Sequence, residues 1–304
     1  MDLRRFRYFL AVANAGHITR AAERLGMQQP PLSQQIRALE DELGTPLFIR
    51  HPKGVELTDA GHQFKIEVER LLADVAGMQE RMSAFVKGQR GRLAIGFTSS
   101  AAAHAFTPKA LRTCRKQHPD IALDVSEHNA AEITEAVAAR RLHCGFIRVP
   151  VLRPAGLVFE ALLQEESLLA IPMDHRLARD TTQPVALEEL HGEALILVRR
   201  PGAPGLYANL LAACAQRRVE THLAAEVERM TTNLNLVAAG VGLSVVPASM
   251  QGANAHAIVY RPLANVSLSA PLTLVYRQED CAGPTGSFIK LARKIAASIA
   301  SQRA

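Results

Sequence analysis

Residues 18–50 read ITRAAERLGMQQPPLSQQIRALEDELGTPLFIR, which joins two short helical patterns through a glycine. Thr19 is placed to cap the first helix with its hydroxyl, and Gly26 to end it, because a helix C-terminus often needs a positive φ. Pro30 and Pro31 open the second pattern, where a first helical turn tolerates proline. The stretch predicts a helix-turn-helix whose second helix enters the DNA major groove.

The two faces of the second predicted helix differ in polarity. Leu32, Ile36 and Leu39 recur at helical spacing, so we expect them to pack inward. The opposite face carries polar side chains, among which glutamine and arginine can pair with base edges through two hydrogen bonds. The expected DNA-contacting residues of this motif are Thr19, Gln29, Pro30, Pro31, Ser33, Gln34 and Arg37.

A basic turn follows this helix. Short apolar stretches on either side of residues 51–54, HPKG, predict a two-stranded wing. Arg50 and Lys53 are expected to reach phosphate groups or the minor groove from it. An ordinary two-helix corner inside an enzyme would share the helix pair and its glycine. The PPLS opening, the polar face and the basic wing together favour DNA binding.

Residues 21–50 resemble the winged helix-turn-helix of LysR-type transcriptional regulators, with the pattern AAxxLxxxQPPLSxQIxxLExxLGxxLFxR. Residues 57–61, LTDAG, match the LTxAG that follows in that family. The resemblance implies an α/β protein with an N-terminal winged helix-turn-helix and a long linker helix. It also implies two Rossmann-like lobes that resemble a periplasmic binding protein.

Composition narrows the other classes. The chain has 304 residues and a formal net charge of +6, which allows two or three domains and suits an anionic partner. Residues 1–58 hold eight Lys or Arg against six Asp or Glu, so DNA binding has to depend on where the charges lie.

Targeting and metal signals are weak throughout. The N-terminus lacks a signal-peptide core, and the longest apolar run, residues 236–250, is too short to span a bilayer. The four cysteines form no C-x-x-C pair and are expected to be reduced thiols; they are Cys114, Cys144, Cys214 and Cys281. We therefore expect a cytoplasmic protein without a cofactor, a metal site or a membrane partner.

From residue 64 the apolar positions step by four and three, which is the heptad pattern of a coiled-coil seam. The predicted dimerisation residues are Phe64, Val68, Leu71, Val75, Met78, Met82 and Phe85. An amphipathic helix packed on its own domain is the alternative. We assign residues 59–90 to this linker, with a flexible hinge at residues 88–91. The family resemblance implies that the helix pairs with its copy, and that the assembly is a homotetramer.

The flanking segments complete the domain prediction. Residues 1–58 form the DNA-binding domain, and residues 91–304 form an effector-binding domain. In the latter, short apolar strands alternate with helices, which predicts a largely parallel sheet with helices on both faces. The resemblance implies two lobes, with lobe I at about 91–163 and 270–304, and lobe II at about 164–269.

Ligands bind open α/β sheets at the carboxyl ends of the strands. A predicted strand ends at Phe97, and the hydroxyls and free N–H groups that follow it suit a carboxylate. Simple N-capping by Ser99 or Ser100 is the alternative. Arg148 follows another predicted strand and is expected to be a charge partner. The full expected effector set is Thr98, Ser99, Ser100, Asn129, Arg148, Pro204 and Gly205.

Parts of this region resemble the LysR-type regulators of benzoate and muconate catabolism. The matching pieces include residues 95–100 and 237–249, IGFTSS and VAAGVGLSVVPAS. That subgroup often has a threonine facing the ligand carboxylate, where this chain has Asn129 and Ala130, so that either Asn129 substitutes as the donor or the ligand differs. We expect a small carboxylate as the effector, and the resemblance to this subgroup implies an aromatic one.

Together these features predict a non-enzymatic, effector-controlled regulator that binds double-stranded promoter DNA, with RNA polymerase as a further partner. The second class is an enzyme or solute-binding protein acting on an anionic small molecule. The sequence shows no nucleophile elbow, P-loop or G-x-G-x-x-G at the first strand. The third is a redox-sensing regulator that uses Cys144 or Cys214, although single scattered thiols are usually buried structural residues.

Overall fold

The computed structural model describes residues 2–148, 153–180, 182–198, 207–266 and 268–301. The chain forms two compact units, Met1–Ser83 and Ala84–Ala304. Each unit has its own apolar core.

The first unit contains α1 (Leu3–Ala15), α2 (Ile18–Arg24), α3 (Gln29–Leu43), β1 (Phe48–His51), β2 (Gly54–Leu57) and most of α4 (Asp59–Val86). β1 and β2 form an antiparallel hairpin. The core centres on Phe9, whose ring centroid lies 5.2 Å from that of Phe48 and 4.9 Å from that of Phe64. The three helices and the hairpin make the winged helix-turn-helix that the sequence predicts.

The start of α2 differs from the prediction. His17 caps this helix, since its Nδ1 accepts a hydrogen bond from the backbone N–H of Thr19 at 3.3 Å. Thr19 lies inside the helix with an exposed side chain, so the expected cap by its hydroxyl is wrong. Gly26 follows the helix with a φ of +65°, which is the left-handed conformation expected there.

The heptad pattern of α4 has two roles. Val68 is buried, and Phe64 is half-buried with its ring against Phe6 and Phe9, so both pack in the core of the first unit. The prediction that these two residues belong to a pairing seam is therefore wrong. The next four heptad residues are exposed or half-buried, and we call them the apolar stripe: Leu71, Val75, Met78 and Met82.

The predicted flexible hinge at residues 88–91 is instead a packed connection. β3 (Arg90–Phe97) begins within it and is hydrogen-bonded to a neighbouring strand along its whole length. Gly88 has a φ of +67°, and a Cβ there would overlap the start of the last helix. A Cβ on Gly91 would lie 3.2 Å from the ring of Phe85. Close packing, rather than mobility, explains both glycines.

The second unit continues from β3 with alternating helices and strands. The next elements are α5 (Ser99–Ala103), α6 (Phe106–Gln117), β4 (Asp120–Glu127), α7 (Ala130–Ala138), β5 (Cys144–Ile147) and β6 (Leu157–Leu163). They are followed by β7 (Ser167–Pro172), β8 (Val185–Ala186), β9 (Ala194–Val198), α8 (Ala208–Gln216), β10 (His222–Val227) and α9 (Met230–Ala238). The last are β11 (Ser244–Pro247), β12 (Ile258–Arg261), β13 (Leu263–Ala264), β14 (Leu272–Arg277) and α10 (Gly283–Ser301).

Two sheets organise this unit, and each defines a lobe. Lobe I is built on the order β4-β3-β5-β14-β6, with α7 on one face and α6 and α10 on the other. Lobe II contains β7 between β11 and β12, and β9 beside β10. An isolated β-bridge between Leu195 of β9 and Leu243, the residue before β11, connects these two groups of strands. The two-lobed α/β fold that the resemblance implied is confirmed.

The sheets are mixed rather than largely parallel. In lobe I, β3, β4 and β5 are parallel, but β14 is antiparallel to both β5 and β6. In lobe II, β7 is antiparallel to β11 and β12. The chain leaves lobe I after Leu163 and returns at Leu272, and these two residues are paired across β6 and β14. This return strand reverses direction, which is what makes the sheet mixed.

Candidate functional site

The outer face of α3 is polar and open to solvent. Leu32, Ile36 and Leu39 are fully buried, as predicted, and this orients the helix. Of the expected DNA-contacting residues of α3, Ser33 is half-buried and the others are exposed: Gln29, Pro30, Pro31, Gln34 and Arg37. The structure thus presents on one surface the side chains that the sequence singled out.

The wing is held by a carboxylate that sequence reasoning missed. Oε1 of Glu40 accepts hydrogen bonds from the backbone N–H groups of Leu47, at 2.8 Å, and Phe48, at 3.1 Å. Its Oε2 lies 3.7 Å from Nη2 of Arg50. Glu40 therefore fixes the start of the hairpin to the end of α3 and holds the Arg50 guanidinium near it. Lys53 is exposed at the tip of the wing.

In lobe I, parallel strands bring the expected effector residues to one edge. β3, β4 and β5 end next to Thr98, Asn129 and Arg148, respectively. Thr98 caps α5 by accepting a hydrogen bond from the N–H of Ala101 at 3.3 Å, so the capping role that was considered for Ser99 or Ser100 belongs to Thr98.

The two serines have different surroundings. Oγ of Ser99 accepts a hydrogen bond from the backbone N–H of Met230, at 3.1 Å, which is the first residue of α9 in lobe II. Ser100 is buried, and its Oγ lies 3.5 Å from Oγ of Thr98. At this edge, the hydroxyl of Ser99 therefore joins lobe I to lobe II.

Asn129 already uses both ends of its side-chain amide. Its Oδ1 accepts a hydrogen bond from the N–H of Glu132 at 2.9 Å, and Glu132 in turn accepts from the N–H of Asn129, which completes a capping box on α7. Its Nδ2 donates to Oε2 of Glu228 in lobe II at 3.2 Å. The expected role of Asn129 as a free donor to an effector does not fit this arrangement.

Arg148 also differs from the expectation that it offers its charge to a ligand. Its side chain is only 3% exposed and forms an ion pair with the equally buried carboxylate of Glu165. It also donates to the carbonyl of Ala270 at 2.8 Å and to Oγ of Ser249 at 3.0 Å. Burial lowers the pKa of Arg148, whereas the charge of Glu165 raises it. The arginine charge is thus balanced within the chain, by a glutamate that no motif marked.

A cavity of about 870 Å³ lies beside the two segments that connect the lobes. Its lining includes the buried imidazole of His104, whose Nε2 is 3.9 Å from Oε2 of Glu165. The other polar lining residues are Gln164, Glu165, Glu166, Ser249, Gln251 and Ser269. None of the described expected effector residues lines this cavity, which is therefore separate from the edge at Ser99.

Lobe II has a buried hydrogen-bond network around Tyr207. Tyr207 donates to the carbonyl of Val245 at 2.9 Å, and Asn233 donates to Oγ of Ser244 at 2.7 Å. Burial raises the pKa of Tyr207 to about 12, so its hydroxyl remains a donor. The expected effector residues Pro204 and Gly205 lie outside the described residues.

Three of the four thiols do not resemble reactive cysteines. Cys114, Cys144 and Cys214 are buried, and burial raises the pKa of each, which disfavours the thiolate. Cys281 is exposed. Among the described residues there is no cluster of three or more metal-ligating side chains, and none of their helices is long and apolar enough to cross a membrane.

Two family models match the chain. Residues 3–62 match the model described as "Bacterial regulatory helix-turn-helix protein, lysR family". Residues 87–294 match the model described as "LysR substrate binding domain". These two ranges correspond to the two units of the structure.

Characterised relatives align along nearly the whole chain. The regulator BudR of Raoultella terrigena is 32% identical over 291 residues, which cover 96% of this chain and 100% of BudR. The probable cat1 operon transcriptional activator of Acinetobacter lwoffii is 35% identical over 296 residues, which cover 97% of this chain and 95% of that protein. The regulator CatR of Pseudomonas putida is 34% identical over 281 residues, with 92% and 94% coverage.

Solved structures share the fold of the full chain. Full-length CbnR, in complex with its target DNA, superposes with a TM-score of 0.75 at 28% identity and covers 97% of this chain and 100% of CbnR. Full-length BenM gives a TM-score of 0.58 at 28% identity and covers 100% of this chain and 98% of BenM. The similarity therefore includes both units.

Proposed function

The chain belongs to the LysR family of bacterial transcriptional regulators. We propose that its first unit binds DNA and that its second unit binds the ligand that controls DNA binding. The protein is a DNA-binding transcriptional regulator controlled by a small-molecule effector. In our proposal, the exposed face of α3 reads bases, the wing grips the backbone, and the cleft between the lobes receives the effector. Effector binding then shifts the equilibrium between lobe arrangements, as it can when it binds them unequally.

The observation that carries this function is the exposed polar face of α3, within a fold shared with a regulator bound to its target DNA. To test it, genomic fragments that flank the gene would be offered to the purified protein in a gel-shift assay. We expect selective retention of a fragment that contains a dyad, with an affinity that falls steeply as salt rises. Equal retention of all fragments at every salt concentration would contradict the proposal.

Base reading and backbone contact are separable by mutation. Gln29→Ala is expected to reduce discrimination at one base pair of each half-site by about 1–3 kcal/mol, because the amide is exposed at the start of α3. Arg50→Ala is expected to weaken binding to all sequences and to lower the salt slope by about one. Affinities measured for specific and scrambled duplexes over a salt series distinguish these results.

Arg140→Ala is the matched control, since Arg140 is an exposed arginine of the second unit that pairs with Glu279. It should leave both quantities unchanged. A change in sequence preference alone for Arg50→Ala would show that the wing assignment is wrong.

We infer that the effector is a small carboxylate, and that the regulator belongs with those of aromatic-acid catabolism. The named relatives include a cat1 operon activator and CatR, and the fold is shared with BenM. In this chain, the first N–H of α9, that of Met230, donates a hydrogen bond to the hydroxyl oxygen of Ser99 at 3.1 Å. A carboxylate that replaced this hydrogen bond would accept one hydrogen bond from each of the two groups. BudR is equally similar in sequence, which leaves the aromatic subgroup a proposal that an effector screen would decide.

We propose that the apolar stripe of α4 pairs with its copy, and that further contacts give a homotetramer. A stripe of this kind at heptad spacing is typical of two-helix pairing, and two readers on one dyad bind more tightly than one. RNA polymerase is a proposed further partner of the DNA-bound assembly. The cytoplasm is the proposed location, because the protein acts on DNA.

The other two function classes are not favoured. The named relatives are transcriptional regulators rather than enzymes or transport proteins. A cysteine-based redox sensor would need an accessible thiolate, whereas Cys144 and Cys214, which were considered for that role, are buried with raised pKa values.

A further inference from the structure

Three polar contacts join the two lobes where β4 and β10 end. On the lobe I side, the contacts involve the start of α5 and the segment that leads into α7. On the lobe II side, they involve the segment that leads into α9. We propose that these contacts form a latch that holds the two lobes closed. The latch residues are Ser99, Glu127 and Asn129 in lobe I, and Glu228, Arg229 and Met230 in lobe II.

The outermost contact is an ion pair. Nη1 of Arg229 lies 3.1 Å from Oε1 of Glu127, with 52% and 42% of the two side chains exposed. A pair that is this accessible to water changes an equilibrium only by about two- to five-fold. It is therefore strong enough to bias the lobes and weak enough to release them.

The innermost contact involves a backbone N–H group that has no hydrogen-bond acceptor within its own helix. The N–H of Met230 is the first of α9, and the first four N–H groups of a helix have no acceptor within it. Closure supplies that acceptor, Oγ of Ser99 at 3.1 Å. Asn129 adds a hydrogen bond to Glu228 at 3.2 Å, and its own capping box fixes its orientation.

The other connection between the lobes is of a different kind. The chain crosses twice, after Leu163 and before Leu272, and beside these crossings the buried Arg148 and Glu165 both bind Ser249. Those links are covalent or buried, whereas the latch is polar and its outermost ion pair is exposed to water. Lobe opening would thus break the latch while the crossings stay joined.

The latch gives the effector a defined competitor, a step that rests on the proposed function. In the closed arrangement, Ser99 is already the acceptor for Met230. A carboxylate that enters would accept the hydrogen bond from the N–H of Met230 and a second hydrogen bond from the hydroxyl of Ser99. Weakening the latch elsewhere should therefore lower the concentration of carboxylate that is needed to open the lobes.

Charge exchange across the latch tests the proposal in the full chain. Spin labels would be placed on exposed positions of α7 and α9 by Glu135→Cys and Thr232→Cys, in a Cys281→Ser background. Dilution with unlabelled protein isolates the distance within one chain, and electron-electron resonance gives its distribution. The unmodified latch should give one short, narrow population.

Arg229→Glu puts two carboxylates face to face and should add a longer distance population, at least about three-fold above its wild-type share. Adding Glu127→Arg to that variant should restore the short population. The matched control is Arg217→Glu, which reverses a similarly exposed charge that pairs with Glu188 inside lobe II, and it should change nothing. A wild-type distribution for Arg229→Glu, or no recovery in the double variant, would overturn the proposal.

Benzoate serves as the probe for the coupled step. It should lengthen the distance in the wild-type latch, and Arg229→Glu should lower the half-saturating benzoate concentration by about two- to five-fold. No response to benzoate in either protein would count against an aromatic-acid effector, and charge exchange would still decide for or against the latch.

Discussion

The double variant Leu71→Glu, Met78→Glu is expected to lose the pairing of α4 with its copy, and therefore to form a smaller assembly than the wild type. Binding to a duplex with two half-sites should then weaken by about 100-fold or more, because the winged helix-turn-helix domains that bind the two half-sites are no longer joined in one assembly. Both side chains are exposed within one chain, at 41% and 51%, so the substitutions should not disturb the fold of the first unit. Sedimentation and gel-shift titration give the two readouts.

Ile66→Glu is the matched control for this experiment. Ile66 is 58% exposed on the same helix but lies about half a turn away from the apolar stripe. It should change neither the assembly nor the DNA affinity. If the Leu71→Glu, Met78→Glu protein kept its wild-type mass and DNA affinity, the stripe would not be the pairing surface.

Arg148→Met is expected to destabilise the second unit by about 3–5 kcal/mol, because it leaves the carboxylate of Glu165 buried without its cation. In a unit of this size, that corresponds to a fall in Tm of roughly 6–20 °C. Adding Glu165→Gln should recover a large part of the loss, since the unpaired charge is then gone. Calorimetry of the single and double variants measures the coupling.

The same substitution at an exposed ion pair shows how much burial matters. Arg140→Met breaks the pair with Glu279, in which both side chains are more than half exposed. Its effect should be below about 1 kcal/mol. If the Arg148→Met and Arg140→Met proteins had the same Tm, the buried ion pair would have no structural role.

Local periodicity was enough to predict many elements. The helix Phe106–Gln117 and the strands Cys144–Ile147 and His222–Val227 follow from their local patterns, because each is a compact run between clear breaks. The DNA-reading helix was equally legible, since its buried and exposed faces carry different residue types. The strand Leu157–Leu163 lacks such a pattern, because most of its residues are only half-buried.

The candidate site was harder to predict because its contacts join distant parts of the chain. Nothing near Arg148 in the sequence indicates that Glu165 would neutralise it, and nothing near Ser99 points to Met230. The heptad pattern gave the correct helix, but it could not reveal that Val68 turns into the core of the first unit. Sequence periodicity identifies an apolar face, whereas the fold decides what covers it.

The pairing of Leu163 with Leu272 makes lobe II an insertion into lobe I. Adjacent antiparallel residues lie about 5 Å apart, which is the spacing that the ends of a β-hairpin also have. A short turn could therefore replace everything between these two leucines and leave the order β4-β3-β5-β14-β6 unbroken. Lobe I is thus the parent domain, with a complete sheet of its own, and lobe II is an inserted domain whose two connections to lobe I lie side by side.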